Sequence, residues 1–211
     1  MAPAAVSLDC FGTLLRIDPP ADPAAAVASS LADRGLPVAE DWSERYRRDH
    51  LGVAGSEEVS LYRHVAAALA AGNEPVPDEE TIAAAVDEAF EPVVAARPRA
   101  VEALETLADR FPVGVLSNSA VPGLVERSIE RSGLPEDAFS AVVASVDVGY
   151  RKPDPRAFRT MATALDVDPS TLVHVGDDAR TDGGIADLGG EFVSVDETSL
   201  ESLADHLEGE M

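Results

Sequence analysis

Asp9, Ser117 and Asp177 each follow a short apolar run in the chain, and Lys152 opens the string Lys152-Pro153-Asp154-Pro155. A carboxylate such as Asp9 is a poor nucleophile in water. It becomes a good one when an electrophile is held in line and its charge is neutralised. Ser117 offers a hydroxyl, and Asn118 a backbone amide, to an anionic oxygen. Lys152 is the one lysine against fifteen arginines, and its ammonium is a compact point charge that can face a carboxylate and an incoming anion together. Asp177, Asp178 and Asp182 stand within six residues of one another. Carboxylates crowded in this way repel one another and retain protons unless a cation sits among them.

The elements that must position these groups can be read from the pattern. The run Ala-Val-Ser-Leu ahead of Asp9 reads as a buried strand, broken at once by Gly12 and Thr13. Residues 18–92 read as helices only, over 22–34, 40–50, 56–71 and 78–94, separated by proline and glycine clusters. After Arg97-Pro98 strands alternate with helices: strands at 113–116, 141–145, 172–175 and 191–195, with helices between them and a last helix near the end. Such alternation predicts an α/β fold with a doubly wound parallel sheet. Ligands of open α/β sheets bind outside the carboxyl ends of the strands, which is where Asp9, Ser117 and Asp177 fall. The helical stretch interrupts the pattern after its first strand, so it is expected above the sheet as an insert.

The formal charge is -23 and the pI near 4.3, so nucleic acid and acidic membranes would be repelled over most of the surface. No run reaches the roughly 18 apolar residues of a spanning helix. The single Cys10 cannot form an internal disulfide, and MAPAAVSLDC lacks a basic signal region. A cytoplasmic protein acting on a small anionic metabolite is expected, with no nucleic-acid or membrane partner.

In order and spacing, Asp9-Cys10-Phe11-Gly12-Thr13-Leu14, Ser117-Asn118, Lys152-Pro153-Asp154-Pro155 and Gly176-Asp177-Asp178 with Asp182 resemble the motifs of the haloacid dehalogenase superfamily of hydrolases. The resemblance implies a Rossmann-like core over residues 1–16 and 95–211 and a C1-type helical cap over 17–94. It implies Asp9 as nucleophile through a covalent aspartyl intermediate, with Ser117 and Lys152 as its catalytic partners. Ser117, Asn118 and Lys152 would bind substrate. It also implies Mg²⁺ held by Asp9, the Phe11 carbonyl and Asp177, with Asp182, or else Asp178, holding a bound water. Magnesium takes oxygen ligands at roughly 2.0–2.1 Å and keeps several waters, so so small a donor set suffices. An acidic chain so poor in lysine also resembles cytoplasmic proteins of salt-accumulating halophiles.

One position departs from the phosphatases of that superfamily. They carry a second aspartate two residues after the nucleophile, for general acid and base work, and here that position is Phe11. The aromatic is similar to L-2-haloacid dehalogenases, which use no metal and have an asparagine where this chain has acidic residues. Their halide-binding arginine has no secure match, although Arg45, Arg47 and Arg48 are available. The ranking that follows places Mg²⁺-dependent hydrolysis of a small phosphorylated metabolite with a good leaving group first. A metal-independent dehalogenase comes next, and a non-catalytic binding protein last. Cys10, His174 and the aromatics Trp42, Tyr46 and Tyr62 are expected to pack, and the helical insert to choose the substrate.

Overall fold

The computed structural model describes residues 3–72 and 75–209. Five parallel strands form the main sheet in the order β5-β4-β1-β6-β7: β1 Ala5–Leu8, β4 Val113–Ser117, β5 Ala141–Ala144, β6 Leu172–Gly176 and β7 Glu191–Ser194. The strand carrying Asp9 is therefore central, paired to β4 through Leu8↔Val115 and to β6 through Leu8↔Val175. Successive strand residues point to opposite faces. Val6, Leu8, Val113, Val115, Val173 and Val175 pack one face against α5 (Ala100–Ala108), α6 (Leu124–Ser132) and α9 (Leu203–Gly209). Ala5, Leu116 and Leu172 pack the other against Phe158 and Met161 of α8 (Pro155–Ala164). Each such Val, Leu, Phe or Met side chain, fully buried, contributes roughly 1.5–3 kcal/mol. At Gly114 a Cβ would lie 2.5 Å from Met161 Sδ, so the glycine lets α8 approach the sheet.

The helical stretch leaves and re-enters through a two-stranded antiparallel ladder, β2 (Leu15–Ile17) with β3 (Val94–Ala96), in which Ile17 pairs with Val94. The hydrophobic pattern did not predict this ladder, because three-residue strands carry no readable period. Between them lie α1 (Pro23–Asp33), α2 (Trp42–Tyr46), α3 (Leu61–Ala71) and α4 (Glu79–Ala89). Their apolar faces share one cluster, including Val27, Leu31, Trp42, Val65 and Val86, which also takes in Val121 and Leu124 beside the sheet.

Three helices are shorter than their sequence suggested, and the one expected over 78–94 ends at Ala89, with Val94 already in β3. The 40–50 helix is confined to Trp42–Tyr46, where His50 Nε2 bonds the Arg45 carbonyl at 2.9 Å and His64 Nε2 the Tyr46 carbonyl at 2.6 Å. The 56–71 helix begins only at Leu61, with Ser60 as its cap. Residues 56–58 are instead stitched to the loop before Lys152: the Arg151 N–H donates to Ser56 O at 2.9 Å and the Glu58 N–H to Gly149 O at 2.8 Å. Asp182–Leu188 is a 3₁₀ helix where an ordinary helix was expected. Among the described residues no helix is long and apolar enough to cross a membrane.

Candidate active site

Asp9 leaves the sheet at the carboxyl end of β1, its N–H still donating to Val175 O at 2.8 Å. The chain must then turn sharply. Gly12 takes a φ of +98°, and a Cβ there would come within 2.3 Å of the Asp177 carboxylate. That close approach brings the loops after β1 and β6 together, with Thr13 Oγ1 donating to Asp177 Oδ1 at 3.4 Å. Arg97 secures the turn from below by bonding the Gly12 carbonyl.

Lys152 is buried to 2% exposure. Its ammonium donates to Asp9 Oδ1 at 2.8 Å and to Asp182 Oδ1 at 2.7 Å. Its backbone is clamped by Asn118, whose Nδ2 donates to Lys152 O at 3.0 Å while Oδ1 accepts the Lys152 N–H at 2.8 Å. The Asn118 side chain is thereby committed to the lysine loop, leaving its backbone amide for any substrate anion. Ser117, at the end of β4, makes no side-chain hydrogen bond among the described residues. It lines, with Asp9, Phe11, Asn118, Lys152, Asp177, Asp178, Thr181 and Asp182, a crevice of about 230 Å³. The residues singled out in the sequence thus meet in one place.

Asp182, expected to hold a metal-bound water, lines the same crevice as Asp9 and Asp177. It is 1% exposed, with Oδ1 on Lys152 and Oδ2 accepting the Asp178 N–H at 3.1 Å. It is an anchor for the lysine. Asp178, the alternative, is taken by Arg180 through Nε and Nη2 at 3.0 and 2.9 Å. Asp177 differs from both: among the described residues no cationic side chain pairs with it. Room for Asp182 comes from Gly176, where a Cβ would lie 2.1 Å from Asp182 Oδ2. Gly176→Ala should therefore cost about 1–3 kcal/mol by overpacking, and a thermal melt of the variant that matched the parent would contradict this account.

The electrostatics follow from burial. Asp9 is pushed up to about 6, first by burial and further by the Asp182 and Asp177 charges, against the downward pull of Lys152. Burial would raise Asp182 as well, but a hydrogen bond from His174 and the Lys152 charge outweigh it and hold it below the usual carboxylate range. His174 is pushed down to about 4 by burial and the neighbouring ammonium, so it is neutral at pH 7. Burial lifts the Cys10 thiol far above its ordinary value, as suits a core residue.

Among the described residues no three His, Cys, Asp or Glu side chains are grouped to hold a metal ion. Magnesium needs fewer, since it is bound by one or two carboxylates and keeps its waters. Asp9 and Asp177, the latter with no cationic partner among the described residues, are two oxygen donors on one crevice that Phe11 also lines. This set fits a single hard cation. Of the arginines considered for halide, none lines the crevice. Arg47 and Arg48 line a separate cavity of about 370 Å³, and Arg45 is buried on Ala68 O at 2.8 Å.

Known proteins place this geometry in a family. The description haloacid dehalogenase-like hydrolase matches residues 3–187. No curated protein matches the chain. Among solved structures, the 2-haloacid dehalogenase from Pseudomonas syringae pv. Tomato is 24% identical with a TM-score of 0.68, over 99% of this chain and 100% of that one. The HAD phosphatase from Thermococcus onnurineus is 21% identical with a TM-score of 0.63, over 97% and 98%. A HAD family enzyme from Bacteroides thetaiotaomicron, in complex with magnesium and inorganic phosphate, is 16% identical with a TM-score of 0.60, over 91% and 93%. At these identities the structures speak for the fold, while the match over 3–187 speaks for the lineage: the chain belongs to the haloacid dehalogenase-like hydrolases.

Proposed function

We propose that the protein is a Mg²⁺-dependent phosphohydrolase acting on a small phosphorylated metabolite whose leaving group departs without protonation. The observation that carries this reading is the charge balance of the crevice. Asp182 is balanced by Lys152 and Asp178 by Arg180. Asp9 shares the lysine, and Asp177 has no cationic side chain beside it among the described residues. An anionic substrate entering such a site needs a further positive charge. Asp9, the Phe11 carbonyl and Asp177 would hold Mg²⁺, which when bound neutralises charge on the phosphoryl oxygens.

The chain's own groups then have distinct tasks. Lys152 holds Asp9 through Oδ1, leaving Oδ2 to attack. Ser117 Oγ and the Asn118 amide bind phosphoryl oxygens. As the bond from Asp9 Oδ2 to phosphorus forms, the bond to the leaving oxygen breaks, and that oxygen departs with the electron pair. Water then cleaves the aspartyl phosphate. Phe11 cannot give the leaving oxygen a proton, and such help is typically worth about 10²–10⁴-fold. Acyl and aryl phosphates suit this site better than alkyl phosphates. Residues 17–94 act as the cap, and the small crevice supports a compact substrate. The surplus of acidic side chains suits a salt-rich cytoplasm, so assays belong at high salt.

Phe11 favours a second reading, metal-free release of halide from a short 2-halo carboxylate, because halide leaves without a proton. Two assays at high salt separate them. Hydrolysis of p-nitrophenyl phosphate should need Mg²⁺ and stop with chelator, and Phe11→Asp should raise turnover of alkyl phosphates by roughly 10-fold or more. Chelator-indifferent phosphate release would overturn the first reading, and chloride release from 2-chloropropionate would establish the second.

A further inference from the structure

His174 lies on β6, fully buried, with its ring edge-to-face on Phe158 at 5.2 Å between centroids. It is the register partner of Ser7 on β1. Three polar atoms surround it. Ser7 Oγ is 2.8 Å from Nδ1, and Asp182 Oδ1 and Lys152 Nζ are 3.2 and 3.4 Å from Nε2. A neutral imidazole has one donor and one acceptor nitrogen, and the partners decide which is which.

If Nε2 accepted from Lys152, Nδ1–H would donate to Ser7, and the Ser7 hydroxyl would be left with Val173 O at 3.5 Å. If instead Ser7 O–H donates to Nδ1, Nε2–H points at an ionised carboxylate at 3.2 Å, and every group has a partner. The lysine loses nothing by this, since it already donates to Asp9 and Asp182 at 2.8 and 2.7 Å. An imidazolium is disfavoured beside the ammonium.

We propose that His174 is a positioning residue: held by Ser7 as the Nε2–H tautomer, it fixes the Asp182 carboxylate that anchors Lys152 against the nucleophile Asp9. Asp182 is then gripped from three sides, by the Asp178 N–H, Lys152 and His174. Without the imidazole, Oδ1 would keep only the lysine, and the lysine could follow Asp9 or an incoming anion out of register. A buried hydrophobic residue at this strand position would pack equally well on Phe158. It would leave Asp182 short of a donor.

This inference rests on Asp9 as nucleophile with Lys152 as its partner, so its test reads the lysine directly as well as the rate. Because Lys152 is the one lysine in the chain, protein labelled with ¹⁵N-lysine gives a single side-chain ammonium signal, visible without substrate. His174→Gln keeps a donor near the place of Nε2 and should preserve that signal. His174→Leu should shift it and speed its hydrogen exchange. On p-nitrophenyl phosphate with Mg²⁺, His174→Leu should lose about 10–100-fold in kcat with KM changed less than about twofold, and His174→Gln should recover most of it.

An ammonium signal and kcat both indifferent to His174→Leu would overturn the proposal. So would ¹⁵N-histidine spectra of the parent showing the His174 proton on Nδ1. Those spectra decide the matter even if His174→Leu fails to fold, and Ser7→Ala, which removes one hydroxyl, should move the lysine signal in the same direction. If the parent hydrolyses no phosphate, the functional reading falls while the two spectra still judge the placement of His174.

Discussion

Asp9→Asn should reduce p-nitrophenyl phosphate turnover by about 10⁴-fold or more, the scale on which removing a nucleophile acts. The amide keeps the shape of the carboxylate and still offers an oxygen to Lys152, so substrate binding should change far less than kcat. Its stability effect should have the opposite sign to most active-site losses. The wild-type carboxylate is driven up to about 6 chiefly by burial, with Asp182 and Asp177 adding to the strain. Above that pH its charge weighs against the folded state, because the same group ionises more easily in the unfolded chain. Asparagine removes the burden while Lys152 keeps Asp182. The variant should therefore melt at or above the parent temperature near neutral pH, yet be inactive. A variant that retained measurable turnover after rigorous exclusion of wild-type protein would mean that another group attacks.

Much of this site was legible because its parts stand at strand ends. Asp9, Ser117 and Asp177 each terminate an apolar run, and a parallel sheet brings such ends to one edge. Lys152 was legible from its solitude. What could not be read was the interior of the network. Ser7 and His174 are 167 positions apart, and only the register of β1 on β6 makes them neighbours. On the sequence alone His174 is an ordinary inward residue of a strand. The direction of Asp182 was hidden for a related reason: five residues after Asp177, a regular helix would leave it open. The tight Asp178–Asp182 turn beneath Gly176 folds it back onto the lysine. The helical stretch was read too regularly, since tertiary bonds from His50 and His64 override propensity at the ends of short helices.

Lys152→Ala should be the most damaging substitution overall, because it acts on rate and stability together. The ammonium is buried between two carboxylates, and removing one partner of a buried pair typically costs about 3–5 kcal/mol through the charge left behind. Turnover should fall at least about 10²–10³-fold, the range for losing one preorganised electrostatic group. Lys152→Arg should rescue neither fully. A planar fork cannot occupy a space defined by Asp9, Asp182 and the Asn118 clamp without displacing one of them. The two effects can be separated by Lys152→Met combined with Asp182→Asn, which removes ammonium and anchor together and leaves no uncompensated charge at the anchor. That double variant should regain much of the melting temperature lost in Lys152→Ala, because a buried ion pair can be replaced by neutral groups at little cost. Its turnover should stay low, because Asp9 still lacks the positive charge that orients it and balances the incoming anion. Recovery of rate along with stability would show that the lysine serves the fold alone.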